Sequence, residues 1–178
     1  TGGLGDVLGS LPKAIQKLGN DVRVFLPKYS VVENDRFDLS YCWNIGEIEV
    51  RVYGYTHIVN VYETTLPNSP VMIYFVDYPP FFHRYNLYTN DHDEDERFIL
   101  FQKAVIQILQ KMNWYPDILH CNDWQTGLIP LFLKDNYSWD EKFAKTASVM
   151  TIHNIGYQGR FPKESLYKAE INPDLFYE

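Results

Sequence analysis

Between residues 1 and 27 the chain changes its periodicity twice, and that change constrains the fold more than any other feature. Thr1-Gly2-Gly3-Leu4-Gly5-Asp6 reads as a glycine-rich turn, after which Val7, Leu8, Leu11, Ile15 and Leu18 mark the apolar stripe of a helix packed on a sheet. Gly19-Asn20 ends the stripe, and Val22 to Leu26 is a short apolar strand stopped by Pro27. Loop, helix, turn and strand in that order form the second half of a βαβ unit, so the chain is of the α/β class with a parallel sheet. Pro12 lies inside the stripe; lacking an N–H and crowding the previous turn, it predicts a kink or a break there. Glycines at 2, 3 and 5 leave the backbone unobstructed, and a helix starting here aims its free N–H groups and positive dipole end at an anion. Such a turn normally follows a buried strand, so the expectation is a fragment whose first strand is missing.

The rest of the chain continues the pattern. Glu47 to Val52 and Thr56 to Glu63 alternate around Tyr53-Gly54-Tyr55 as a hairpin. Val71 to Val76 is a nearly continuous apolar strand, as in a sheet covered on both faces. Phe81 to Asp95 has no periodicity and is expected to be a long surface loop, with Asp93 to Glu96 either a metal-binding acidic run or the negative first turn of the next helix. Phe98, Phe101, Val105, Ile108 and Met112 mark one face of that helix. Asp117 to Cys121 and Ala147 to Ile152 are two further strands, and both end in polar residues: Asn122-Asp123 and His153-Asn154. Ligands in open α/β sheets bind at the carboxyl ends of strands, which makes His120, Asn122, Asp123 and His153 candidates. Asp123 also suits a helix cap. The chain is expected to be one domain, with 160 to 178 as a peripheral extension.

Composition narrows the function classes. A net charge of −7 with no basic patch argues against nucleic acid, whose phosphates are bound by clustered Lys and Arg. The apolar runs are strand-length, far short of a membrane span. Two cysteines, Cys42 and Cys121, lack metal-ligand spacing and imply a reducing compartment. Aromatic residues make up 16 % of the chain; most serve packing, and some could stack on sugar rings.

Three segments then stand together: Thr1-Gly2-Gly3-Leu4-Gly5-Asp6-Val7, His120-Cys121-Asn122-Asp123-Trp124-Gln125-Thr126-Gly127-Leu128, and Thr151-Ile152-His153-Asn154-Ile155-Gly156-Tyr157-Gln158-Gly159. In this order the chain resembles bacterial glycogen synthases and plant starch synthases, over nearly its whole length and corresponding to their N-terminal domain. The resemblance implies the Rossmann-like, acceptor-side half of a two-domain GT-B glycosyltransferase, with an added β-hairpin and a C-terminal donor-binding domain that lies beyond this sequence. The implied reaction is a retaining transfer of glucose from ADP-glucose or UDP-glucose to the non-reducing end of an α-1,4-glucan, with no metal and no cofactor. The implied location is cytoplasmic in a bacterium and plastidial in a plant.

By the same resemblance, His153, Asp123 and Asp6 are the catalytic candidates. The backbone carbonyl of His153 is expected beside the anomeric carbon, Asp123 along the cleft, and Asp6 near the transferred glucose. Gly2 and Gly3 approach the donor diphosphate, and Asn154, Tyr88 and Gln158 bind substrate. The family's motif starts with a Lys just before Thr1. Phe82-His83-Arg84-Tyr85-Asn86 departs from the pattern, standing where the family usually has Asp-Arg and a glycine-containing turn. Three competing readings remain. One is a non-catalytic glucan-binding module on the same fold, using aromatics such as Tyr88 and Tyr157. Another is a two-carboxylate hydrolase using Asp6 and Asp123. The third is a dinucleotide-binding domain, which the absence of GxGxxG spacing disfavours.

Overall fold

The computed structural model describes residues 3–176. In chain order its elements are α1 (Gly3–Lys17), β1 (Arg23–Pro27), the single turn α2 (Asn34–Phe37), β2 (Ser40–Tyr41), β3 (Ile48–Val52), β4 (Tyr55–Thr65), β5 (Met72–Asp77), the single turn α3 (Pro79–Phe82), α4 (Glu94–Lys111), β6 (Ile118–Asn122), α5 (Ile129–Lys134), β7 (Ala147–Thr151) and α6 (Ser165–Ala169). They form two compact units, Thr1–Glu47 with Val59–Leu87 and Ile48–Ile58 with Tyr88–Glu178. Gly2, expected to face a donor diphosphate, lies outside the described residues.

The first unit is built on the strand order β1-β5-β4-β2. β5 lies between β1, parallel to it, and β4, antiparallel to it. Its residues from Ile73 to Asp77 are all buried, as its unbroken apolar run predicts. Val24, Leu66, Val71, Ile73 and Phe75 form the core here, with Val22, Leu26 and Leu39 against them. Of the kink or break expected at Pro12, the break does not occur: α1 runs through it. Pro12 is the one buried residue of this helix, so packing of its ring offsets the absent N–H. The glycine turn is also shorter than expected, because Gly3 and Gly5 already belong to the helix.

The second unit is organised around α4. The sequence pattern predicts one apolar face, but 14 of its 18 residues are buried, among them Arg97, Gln102 and Lys103. Each of these polar side chains has an internal partner. Arg97 pairs with Glu94, and the Lys103 ammonium meets the Arg51 carbonyl at 2.9 Å and Glu170 at 3.0 Å. Gln102 Oε1 accepts the backbone N–H groups of Leu128 and Ile129 at 2.6 and 3.1 Å, capping α5 from a distance. β3 and β4 form the expected hairpin, with positive φ at Tyr53 (53°) and Gly54 (78°), the signature of a tight two-residue turn. The segment expected to be peripheral is anchored through α6, which packs on α4, with Ala169 and Ile171 1 % and 4 % exposed. β6 and β7 pair in parallel, Ile118 with Ala147 through Asn122 with Thr151. β7 is apolar yet largely exposed, with Val149 and Met150 at 45 % and 41 %.

Candidate functional site

The polar ends of β6 and β7 are brought side by side by their parallel register, which sets Asn122 opposite Thr151. The next residues complete the site. The Asp123 backbone N–H donates to the Thr151 carbonyl at 2.9 Å, which extends the pairing one residue past the strand. To do so Asp123 adopts φ 58° and ψ 178°, a region that L residues rarely occupy and that costs about 1–3 kcal/mol. Its carboxylate does not cap the following turn. Oδ1 instead accepts the backbone N–H of His153 at 2.7 Å, a short charge-assisted bond.

The histidine ring is fixed as well. Asn122 Nδ2 donates to the His120 carbonyl at 3.2 Å, which turns the amide so that Oδ1 faces His153. His153 Nε2 lies 2.9 Å from that Oδ1 and must therefore carry the proton. In the neutral ring Nδ1 is then an unprotonated acceptor. His120 Nε2 meets Thr151 Oγ1 at 2.7 Å and steadies the same strand ends. Asn154, exposed, closes its own turn: Oδ1 accepts the Gly156 N–H at 3.1 Å. Gln158 is exposed and folds back, donating from Nε2 to the Ile155 carbonyl at 3.0 Å.

Tyr88 belongs to the same unit. Its ring lies 6.2 Å from that of Phe98, centroid to centroid, and it remains 44 % exposed. Partial burial raises its hydroxyl pKa above the usual value, and the charges of Asp123 and then Glu94 add to the rise. The tyrosine thus shares the electrostatic environment of Asp123. Its loop is anchored next door, because the Glu94 carboxylate accepts from both the backbone N–H and the hydroxyl of Thr89. The acidic run is accounted for in the same way: Asp95 bonds Ser165 and Lys168, and Glu96 pairs with Lys168. Among the described residues no three His, Cys, Asp or Glu side chains converge as a metal site would require.

Gly3 and Asp6 stand in the first unit. Gly3 is the first residue of α1 and no other atom lies within 4 Å of where its Cβ would be. Asp6 is exposed one turn further along, and its carbonyl accepts the Ser10 hydroxyl at 2.7 Å.

One contact was not visible in the sequence pattern. Trp124, the residue after Asp123, lies against Gly159 so closely that a Cβ there would sit 2.3 Å from the indole Cδ2. Phe98 and Phe161 flank the same indole at 4.9 and 5.3 Å. Beside it opens an apolar cavity of about 570 Å³, lined by Trp124, Met150, Ile152, Tyr157, Phe161 and Phe176.

Comparison with known proteins follows the same line. A family model described as starch synthase catalytic domain matches residues 1–178. The chain is 40 % identical over 183 residues to a glycogen synthase of Desulforudis audaxviator, covering 99 % of this chain and 36 % of that protein. It is 40 % identical over 178 residues to a glycogen synthase of Clostridium perfringens, covering 99 % and 34 %. The catalytic domain of starch synthase IV from Arabidopsis thaliana, bound to ADP and acarbose, matches with a TM-score of 0.86 at 30 % identity, over 98 % of this chain and 35 % of that one. The chain spans about a third of the length of the curated relatives it matches. From the family match and these identities, the chain belongs to the starch synthase catalytic domain family.

Proposed function

We propose that the chain supplies the acceptor-side wall of a retaining glucosyltransferase that moves glucose from a nucleotide sugar, ADP-glucose, to the non-reducing end of an α-1,4-glucan. The observation that carries this reading is the double anchorage of His153. A carboxylate holds its backbone N–H at 2.7 Å and an amide oxygen holds its ring at 2.9 Å. A residue fixed at both its N–H and its ring holds its own backbone carbonyl as a preorganised dipole, able to stabilise positive charge developing at an anomeric carbon without reorganising during the reaction. Retention needs no paired acid and base from the protein: the acceptor hydroxyl attacks the face that the phosphate leaves, and the departing phosphate oxygen takes its proton. The protein's work is then positioning and charge stabilisation.

In this reading Asp123 is a positioning residue, since its carboxylate is spent on the His153 backbone. Tyr88, Asn154 and Gln158 bind the sugar; Gly2 and Gly3 are assigned to the donor diphosphate and Asp6 to the transferred glucose. The donor's base is held by a further domain, and neither metal nor cofactor is called on. The relatives' names, glycogen synthase and starch synthase, support the substrate class, as does the ADP and acarbose bound to the Arabidopsis protein.

Incorporation of labelled glucose into glycogen, measured with the protein that carries this chain, tests the proposal. ADP-glucose is expected to serve better than UDP-glucose, with EDTA without effect and His153→Ala inactive but folded. An active His153→Ala variant sinks the placement of the site. Glycogen binding without any transfer would favour a non-catalytic glucan-binding module instead.

A further inference from the structure

We propose that Trp43, backed by Tyr41 and Tyr62, is a surface platform on which the first unit holds a chain of polymeric α-glucan. The ligand class rests on the glucan reading above; the site itself rests on geometry. Trp43 is 85 % exposed, although a tryptophan is the side chain with most to gain from burial. It is not on a loose loop. The residues on either side of its turn, Cys42 and Ile45, are 3 % and 4 % exposed. The Cys42 carbonyl accepts the N–H groups of both Ile45 and Gly46, at 3.1 and 2.9 Å, while the Cys42 N–H bonds Val61 of β4 at 2.9 Å. The fold thus presents the indole rigidly to solvent.

Two more rings back it. Tyr41 meets the indole edge-on at 4.6 Å between centroids, and Tyr62, its register partner across β2 and β4, lies 5.6 Å further along. The row is held from behind: Asn60 Oδ1 accepts the Tyr41 hydroxyl at 3.3 Å, and buried Lys28 sets its ammonium 5.1 Å above the ring of Tyr62, which packs on the core. Asn44 is exposed beside the indole. A pyranose ring has an apolar C–H face and a rim of hydroxyls. The open indole face with the exposed Asn44 amide next to it in the chain complements both.

The experiment uses the protein that carries this chain, in native gels containing glycogen, with Trp43→Ala, Trp43→Leu and Trp43→Phe. Trp43 is exposed, so all three are expected to keep the wild-type melting temperature. Apparent Kd for glycogen should rise about tenfold in the Ala and Leu variants, equivalent to about 1.4 kcal/mol, and about threefold in Phe, which keeps a smaller ring. With maltotriose as a short acceptor, kcat and KM should be unchanged. Wild-type glycogen affinity in Trp43→Ala overturns the proposal. So does a change in sedimentation behaviour, which would make the patch a contact between copies, or a kcat on maltotriose that falls with the glycogen affinity. If Trp43→Ala loses glycogen while even the wild type transfers no glucose, the platform stands and the transferase reading fails.

Discussion

Gly159→Ala tests how tightly the site is packed, because two independent effects act at one position. The first is backbone strain: Gly159 has φ +57°, and an L side chain in the left-handed region costs about 1–2 kcal/mol. The second is collision, since the new methyl would lie 2.3 to 2.5 Å from Cδ2, Cε3 and Cγ of the Trp124 indole. An indole held between Phe98 and Phe161 cannot yield without cost, and overpacking of this kind costs about 1–3 kcal/mol. The neighbouring cavity of about 570 Å³ gives the ring somewhere to go and favours the lower part of that range. The expected destabilisation is therefore about 2–4 kcal/mol, a drop in melting temperature of roughly 5–15 °C for a chain of this size. Gly54→Ala is the control, with φ +78° and no atom within 4 Å of the added methyl, so it pays the strain alone. In a Trp124→Leu background the collision is relieved, and Gly159→Ala should then cost no more than Gly54→Ala. Thermal unfolding followed by circular dichroism reads the four variants against the wild type. Equal losses for Gly159→Ala and Gly54→Ala, or additivity in the double variant, would refute the collision. Because a displaced Trp124 drags Asp123 with it, glucose incorporation by Gly159→Ala should fall at least tenfold at temperatures where the protein is still folded.

Three further outcomes follow from the same structure. Asp123→Asn keeps an oxygen that can accept the His153 N–H and a residue type that tolerates positive φ, so it should retain measurable glucose transfer, whereas Asp123→Ala should lose about a hundredfold or more; equal inactivity of the two would make the charge itself essential. Burial pushes the thiols of Cys42 and Cys121 up to about 11, reinforced at Cys42 by its hydrogen bond to Glu63, so neither should be labelled by a disulfide reagent at pH 8 until the protein is unfolded in urea, when peptide mapping finds both labelled. At Glu170 partial burial raises the carboxyl pKa, but hydrogen bonds from Lys103, Gly54 and Arg51 outweigh it and hold the group below its usual 4.5. A lowered folded pKa means that its stabilisation is present above the unfolded value and is lost as the pH falls through the folded one. Glu170→Gln should remove that acid-side slope and cost about 2–3 kcal/mol near neutrality, because it leaves the Lys103 ammonium, 4 % exposed, without its carboxylate; the estimate is at the low end because Glu170 is itself 28 % exposed. Urea melts of both proteins across pH 4 to 8 check it.

What could be read from the sequence were the features that depend on neighbours in the chain. The βα alternation, the Tyr53-Gly54 turn and the strand-end position of Asn122, Asp123 and His153 are local patterns, and the structure carries each of them. The readings that changed depended on partners far away. Phe98, Phe101, Val105, Ile108 and Met112 predict a single buried face for α4, but Arg97, Gln102 and Lys103 are buried too, because Glu94, the α5 N-terminus and Glu170 lie against them. β7 is an apolar run as β5 is, yet β5 is buried and β7 exposed, because exposure depends on what packs on a strand as well as on its own residues. Pro12 predicts a kink or a break because its missing N–H is a local property, while the burial that compensates it is not.

Asp123 brings these two kinds of information together. Its place at the end of a strand marked it as a site residue, and its type allowed either a cap or a cleft-lining carboxylate. The choice lies in a backbone angle and one long-range bond: φ 58° turns the side chain away from the turn it precedes and onto the His153 N–H, 30 residues later. A residue held in so unfavourable a conformation persists only where its surroundings enforce it. Here they do so from both sides, through the Asp123 N–H on Thr151 and through Trp124 wedged against Gly159. The strain at Asp123 and the glycine at 159 are therefore two ends of one device, which sets the His153 peptide before any substrate arrives. Loosening either end should release the other, so Asp123→Ala, lacking the carboxylate bond, should narrow the gap in cost between Gly159→Ala and Gly54→Ala.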